Sequence, residues 1–172
     1  MPDSAISQAL KKLNYGIYIV TSRKPAGELT TRNADWVAAS TISWLTQSSA
    51  EPATVVMAVQ KDSNLAETIQ RSGNFAVHLL GEDDRELVKE FVGPADFNEE
   101  QVNGHRYTEG ESGAPILASA GFGHFECRTV ETVSLEGDHH LIIGRVISGK
   151  VTDAKAEPLA LEQSSFEYEG DK

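Results

Sequence analysis

The sequence predicts a mainly β protein with short helices, folded as an antiparallel barrel that carries its helices on the outside. Three observations lead there. Segments rich in β-branched and aromatic residues outnumber helical patterns. Two short helices interrupt the strand succession without an alternating strand–helix–strand rhythm, which argues against a doubly wound parallel sheet. Residues 122–135 alternate, turn at Gly137-Asp138 and return through 140–148, the clearest hairpin signal in the chain.

The elements follow in order. Asp3 or Ser4 caps a short helix with Ile6, Ala9, Leu10 and Leu13 on one face. Residues 15–21 (YGIYIVT) read as a strand, and 22–33, with Pro25 and Gly27, as a loop. Residues 35–47 form a strand or strand pair, 48–52 a turn, and 53–59 (ATVVMAV) a strand fit for burial on both faces. Asn64 and Glu67 make a capping-box pattern for a helix that Gly73 ends. Residues 74–80 (NFAVHLL) are a further strand, and Asp83 or Asp84 caps a second helix through Val92, stopped by Gly93-Pro94. Residues 95–113 are polar and irregular, and the EYEGDK end is expected to fray.

At 172 residues the chain is one domain, with the barrel at about 10–150 and a tail at 151–172. A net charge of −11 argues against nucleic acid or an anionic membrane surface as partner. No apolar run reaches membrane-spanning length, and residues 1–13 carry Lys11 and Lys12 in an amphipathic pattern rather than a secretory signal, so a cytoplasmic location is expected. Cys127 stands alone, which excludes a disulfide within the chain and a thiolate metal cage; mid-strand, it reads as a small buried hydrophobe.

The stretch 38–47, AASTISWLTQ, concentrates chemistry. It places Ser40, Thr41, Ser43, Trp44 and Gln47 in one apolar segment, and each buried hydroxyl needs a partner. Such a segment suits a flat, polar-edged ring lying along a strand. It equally suits an edge strand with a solvated Ser/Thr face and one core Trp. Lys61, Ser63 and Asn64 sit at a helix start, where free N–H groups and a lysine favour an anion; a plain capped helix with a solvated lysine is the other reading. His139 and His140 point to opposite faces of a strand and cannot grip one metal. His78 and His124 read as ordinary strand residues, and Glu82, Asp83 and Asp84 as dipole-complementing charges. Phe91 and Phe97 flank Gly93-Pro94 as a lid or, for Phe91, as core. Gly121-Phe-Gly123 lacks the third glycine and the strand-to-helix context of a dinucleotide fingerprint.

Four pieces in fixed order resemble the FMN-binding split-barrel family, the flavin reductase-like domains. They are LNYGIYIVTS at 13–22, ASTISWLTQSS with Glu51-Pro52, VQKDSNLAETI running into NFAVHLL, and GAPIL followed by HFECR and GDHHLIIGRV. The first two are most similar to the flavin reductase modules of flavodiiron and rubredoxin proteins. The resemblance covers about residues 10–149 and implies a six-stranded split barrel, a homodimer, and FMN or FAD near the subunit interface. It implies that Ser40, Thr41, Ser43, Trp44, Thr46 and Gln47 line the ring and ribityl chain. By the same resemblance Lys61, Ser63 and Asn64 hold the phosphate, and His139, in the Gly-Asp-His triplet, contacts nicotinamide or flavin as the catalytic candidate; a turn histidine bonded to Asp138 is the other reading. Leu65 departs from the phosphate-binding Thr or Ser of many members, and Ala53 from a second proline.

The activity implied is NAD(P)H-dependent reduction of FMN or FAD, with hydride passing to flavin N5 and the protein supplying orientation. The alternative is a non-enzymatic FMN-binding electron-transfer module serving a redox protein partner. With no rubredoxin-like cysteines or diiron ligands attached, the reductase is the expected activity. Pyridoxamine-phosphate oxidation or haem handling, known from other branches of the barrel, finds no support in these motifs.

Overall fold

A strand with four consecutive buried residues needs cover on both faces, and β1 (Tyr18–Arg23) has it: Ile19, Val20, Thr21 and Ser22 are all buried. The computed structural model describes residues 4–24 and 37–164; much of the predicted 22–33 loop and the 167–172 end, expected to fray, lie outside them. β1 is flanked by β2 (Val37–Ile42) and β5 (Asn74–Leu79), and the sheet continues through β9 (Gly123–Ser134), β10 (His139–Val151), β4 (Ala53–Gln60) and β3 (Leu45–Ala50). Every neighbouring pair is antiparallel.

β2 and β3 stand at opposite ends of this seven-strand order, yet only Ser43 and Trp44 separate them in sequence. The sheet must therefore curl until its two edges meet at that dipeptide. Counted as one bent strand, β2 and β3 reduce the seven to six, the split barrel that the sequence predicts. Trp44 carries the pairing across the bend, its carbonyl accepting from the Ala58 N–H at 2.9 Å.

Successive β1 and β2 residues alternate between two cores. Ile19 and Ala39 join Leu80, Leu87, Val88 and Phe91, whereas Val20 and Ala38 join Met57, Leu65, Ile69 and Phe75. α2 (Asn64–Ser72) seals the second core with Leu65, Ala66 and Ile69, and α3 (Arg85–Glu90) seals the first with Leu87 and Val88. Ser63, one residue before the expected Asn64, caps α2: its Oγ accepts from the Ala66 N–H at 3.1 Å. Gly73, at φ +68°, ends α2 in the left-handed region that glycine adopts without a side-chain penalty. α1 (Ala5–Leu10) starts at Ser4, as expected.

Three expectations are corrected. β4 is not buried on both faces: Val55, Met57 and Val59 point in, while Thr54, Val56 and Ala58 stay partly open because no layer covers that side. The second helix begins as a short 3-10 turn at Glu82–Asp84 and closes at Glu90, before the expected Val92. The irregular 95–113 stretch holds β6 (Gln101–Val102) and β7 (His105–Glu109), which pair with β8 (Pro115–Leu117) in a small second sheet.

The segment leading through β8 is strapped to the barrel by buried polar groups. Thr21 donates to the Pro115 carbonyl at 2.6 Å. His78, expected to be an ordinary strand residue, donates from Nδ1 to Ile19 O and accepts at Nε2 from the Leu117 N–H, both at 3.0 Å. That arrangement needs a neutral ring, and burial pushes its pKa down to about 4. Glu126 accepts from the Ser112 N–H (2.9 Å), the Ser112 hydroxyl (2.7 Å), the Glu111 N–H (3.2 Å) and Ser148 (2.8 Å). Burial alone would raise this carboxyl; those hydrogen bonds outweigh it and hold it below the ordinary value. A Cβ at Gly110 would lie 2.1 Å from Glu126 Oε1, so a side chain there would have to displace the carboxylate that holds the strap. Cys127, fully buried, has its thiol pushed up to about 12 by burial and by neighbouring Glu126, an inert packing group as expected.

Candidate functional site

The bend that closes the barrel also exposes chemistry. Ser43 must turn the chain between two sheet edges, and its hydroxyl is buried at 2% exposure with no hydrogen-bond partner among the described residues. A buried hydroxyl left in this state costs about 1–3 kcal/mol, a cost that a water or ligand atom pairing with it would remove. Ser43 lines a mainly apolar cleft of about 540 Å³, walled by Leu45, Val56, Ala58 and Leu141 on the sheet and by Leu10 and Leu13. A second cleft of about 250 Å³ shares Ala58 and is lined by Ser40, Thr41, Gln60, Ser63 and the Phe91–Gly93 turn. The two clefts flank the bend, one apolar and broad, the other polar and close to the start of α2.

The sequence-predicted residues divide between them. Ser40, Thr41 and Ser63 come together in the polar cleft; Ser43, Trp44 and Thr46 line the apolar one. Thr41 also works internally, its hydroxyl donating to Val88 O at 2.8 Å and its N–H to Phe91 O at 3.1 Å. Gln47 is exposed on β3, bonded to Ser49 O at 3.0 Å, and lines neither cleft. Asn64 is exposed at the first position of α2. There the Asn64 and Leu65 N–H groups have no intrahelical acceptor, as helix geometry requires. The Ser63 hydroxyl is engaged in the cap and donates to Gln60 O at 2.7 Å. Leu65 is 1% exposed and packs in the core, so the side chain at position 65 offers nothing to an anion and only its N–H could.

Lys61 is tied to the tip of the β9–β10 hairpin rather than free in solvent. Its ammonium donates to Leu135 O, and its N–H to Asp138 O at 3.0 Å. Asp138 in turn accepts from His139 Nδ1 at 2.7 Å, a contact that holds its carboxyl below the ordinary range, with the His139 and Lys61 charges acting in the same direction. The His139 ring lies 4.9 Å from Trp44, tilted by 48°. His140 points the other way, to Gln70 at 3.3 Å. The hairpin tip thus brings His139, Trp44 and Lys61 to one end of the barrel. Among the described residues no cluster of His, Cys, Asp and Glu could hold a metal ion, and no helix is long and apolar enough to cross a membrane.

Sequence reading missed two parts of this site. The pattern puts Leu10 and Leu13 on one face of a helix without assigning them a cleft; α1 ends at Leu10, and at 42% and 57% exposure both wall the apolar cleft. The Val92–Gly93 lip of the polar cleft was read as a helix end and its stop signal, while Phe91, 1% exposed, is core and not lid.

Known proteins share this architecture. The model of the flavin reductase like domain family matches residues 10–170. Diflavin flavoprotein A 1 of Synechocystis sp. is 28% identical over 158 residues, which cover 91% of this chain and 25% of that protein. The chain therefore spans about a quarter of the length of the diflavin flavoproteins it matches. The ferric-chelate reductase (NAD(P)H) of Archaeoglobus fulgidus is 27% identical over 151 residues, covering 84% of this chain and 80% of that one. Among solved structures, flavin reductase PheA2 superposes with a TM-score of 0.71 at 26% identity, covering 93% of each chain. The NADH:FAD oxidoreductase of Streptomyces globisporus C-1027, solved with NAD and FAD fragments, shares the fold with a TM-score of 0.74 at 22% identity, over 95% and 90% of the two chains. The bent strand, the two clefts beside it and the match over residues 10–170 converge, and the chain belongs to the flavin reductase like domain family.

Proposed function

We propose that the bend at Ser43–Trp44 holds a flavin, FMN or FAD, and that the chain catalyses its reduction by NAD(P)H. The observation that carries this reading is the buried Ser43 hydroxyl without a partner among the described residues, on a residue that lines an apolar cleft of about 540 Å³, with the polar cleft across the bend reaching the start of α2. An apolar cleft with one or two convergent polar groups suits a flat ring with a polar edge. The flavin, once bound, supplies a hydride acceptor. In this proposal Ser43 donates to the ring edge, Trp44 and Thr46 border the ring, and Ser40 and Thr41 border the ribityl chain. The Asn64 and Leu65 N–H groups receive the phosphate with Lys61 beside them, and Ser63 fixes that helix start. Gln47 is left out of the contact set. His139, oriented by Asp138 and set against Trp44, borders the open face where nicotinamide would lie.

The apolar cleft is walled by the exposed side chains of Leu10, Leu13 and Leu141. A homodimer covering that face would shield both the patch and the ring. Light scattering at micromolar concentration should give a dimer mass; a clean monomer removes this part of the proposal.

Anaerobic mixing with NADH or NADPH and an excess of FMN or FAD tests the activity, and repeated bleaching of free flavin is the expected result. The rival, a tightly held flavin passing electrons to a protein partner, draws on the chain's likeness to one quarter of the diflavin flavoproteins. Tight flavin with no turnover by any pair would decide for it.

A further inference from the structure

We propose that Asn103 is a positioning residue for the polar cleft, holding the Phe91–Gly93 lip from behind; this rests on the flavin reading above. α3 has six residues, too few to hold a helix by its own hydrogen bonds. The carbonyls of its last turn need donors from elsewhere. Two residues supply them. Thr41 donates to Val88 O and Phe91 O, and the Asn103 side-chain amide donates to Glu90 O at 2.8 Å.

Asn103 is the one non-glycine residue with positive φ (+49°) among the described residues, and it precedes Gly104 (φ +82°) in the tight β6–β7 turn. Asn-Gly is the ordinary sequence for that turn and needs no distant side-chain contact. Here the side chain reaches thirteen residues back to Glu90 O and accepts from the Asp96 N–H at 2.8 Å. One amide therefore clamps both ends of the connection that runs from α3 through the lip. His105, on the next strand, adds a second tie: its Nε2 meets Glu90 Oε2 at 2.6 Å, and its ring lies 5.8 Å from Phe91. Phe91 O in turn fixes Thr41, which lines the cleft. The chain of contacts runs from the β6–β7 turn to the cleft wall without touching a ligand.

The test is Asn103→Gly, which keeps the turn conformation and deletes only the side-chain bonds. FMN binding, measured by quenching of flavin fluorescence, should weaken roughly tenfold, the worth of one or two hydrogen bonds. The KM for FMN should rise with kcat at saturating FMN unchanged. The Thr41 amide should lose hydrogen-exchange protection in the flavin-free protein while the Ile19 amide keeps its own. His105→Phe, which keeps the ring against Phe91, should act in the same direction and more weakly. Asn98→Ala loosens the same loop, where Asn98 accepts from the Glu100 and Gln101 amides, without touching α3, and should leave FMN affinity alone. Unchanged FMN affinity in Asn103→Gly overturns the positioning role, as does an equal loss in Asn98→Ala. An unchanged Thr41 amide overturns the route through the lip. A wild-type protein that takes up no flavin overturns the flavin reading itself, and the Thr41 amide then reports on the clamp alone.

Discussion

Two sets of buried polar groups in this protein are treated in opposite ways. Under the strap, Glu126 accepts four hydrogen bonds, and His78 uses both ring nitrogens. At the bend, the Ser43 hydroxyl is equally buried and has no partner among the described residues. Thr68 and Thr129 also lack partners, but neither lines the two clefts flanking the bend. Polar groups that hold a fold are satisfied within it, whereas polar groups that serve a ligand are satisfied when it arrives. On the flavin proposal, the difference together with the place beside a cleft sets Ser43 apart from the hydroxyls that hold the fold.

The comparison makes opposite demands on substitutions. The largest effect is expected from Glu126→Ala, which leaves the buried Ser112 and half-buried Ser148 donors without their acceptor. It should cost about 3–5 kcal/mol in denaturant unfolding. A loss below about 1 kcal/mol would mean that the strap is held by packing and not by Glu126.

His78 comes next, and its effect depends on pH. Its folded pKa of about 4 lies below the ordinary 6.5, so between those values the unfolded chain takes up a proton that the native protein refuses. Stability is therefore full above pH 6.5 and falls as pH drops toward 4, by on the order of 3 kcal/mol. Replacing the ring by His78→Gln should remove this histidine's share of the slope while lowering stability at pH 7. A wild-type stability flat from pH 6.5 to 4.5 would contradict the neutral, doubly bonded ring.

Substitutions at the bend end of the barrel should show the reverse pattern, with little change in stability and a loss of binding. Lys61→Ala should weaken FMN by about 1.5 kcal/mol, the low end for a charge-assisted contact because the ammonium must leave Leu135 O. The loss should shrink with added salt. Equal FMN affinity in variant and wild type would return Lys61 to holding the hairpin alone. Ser43→Ala is the smallest and sharpest case: melting temperature unchanged or slightly raised, FMN affinity down about five- to tenfold. A clear fall in melting temperature would place Ser43 with the structural hydroxyls.

Much of this was legible in the sequence, for identifiable reasons. The hairpin from β9 to β10 shows because alternation and Gly137-Asp138 are local signals. The stretch around Ser43 stood out because closely spaced hydroxyls are unusual in an apolar run. The roles of His78 and Glu126 were not legible, because their partners Leu117, Ser112 and Ser148 lie 39, 14 and 22 residues away. Nor does composition tell that Gln47 turns aside to Ser49 while Ser43 faces a cleft. That difference depends on where the strand bends. The Ser63 cap displaced the expected Asn64 because serine reached the Ala66 amide one residue earlier.

Amide chemical-shift mapping during a titration with FMN tests the central claim most directly. The flavin reading predicts shifts concentrated at residues 40–47 and 58–65, including the Ser43, Asn64 and Leu65 amides, with those of 110–117 unmoved. Shifts concentrated in the 110–117 strap, or none at saturating FMN, would contradict it.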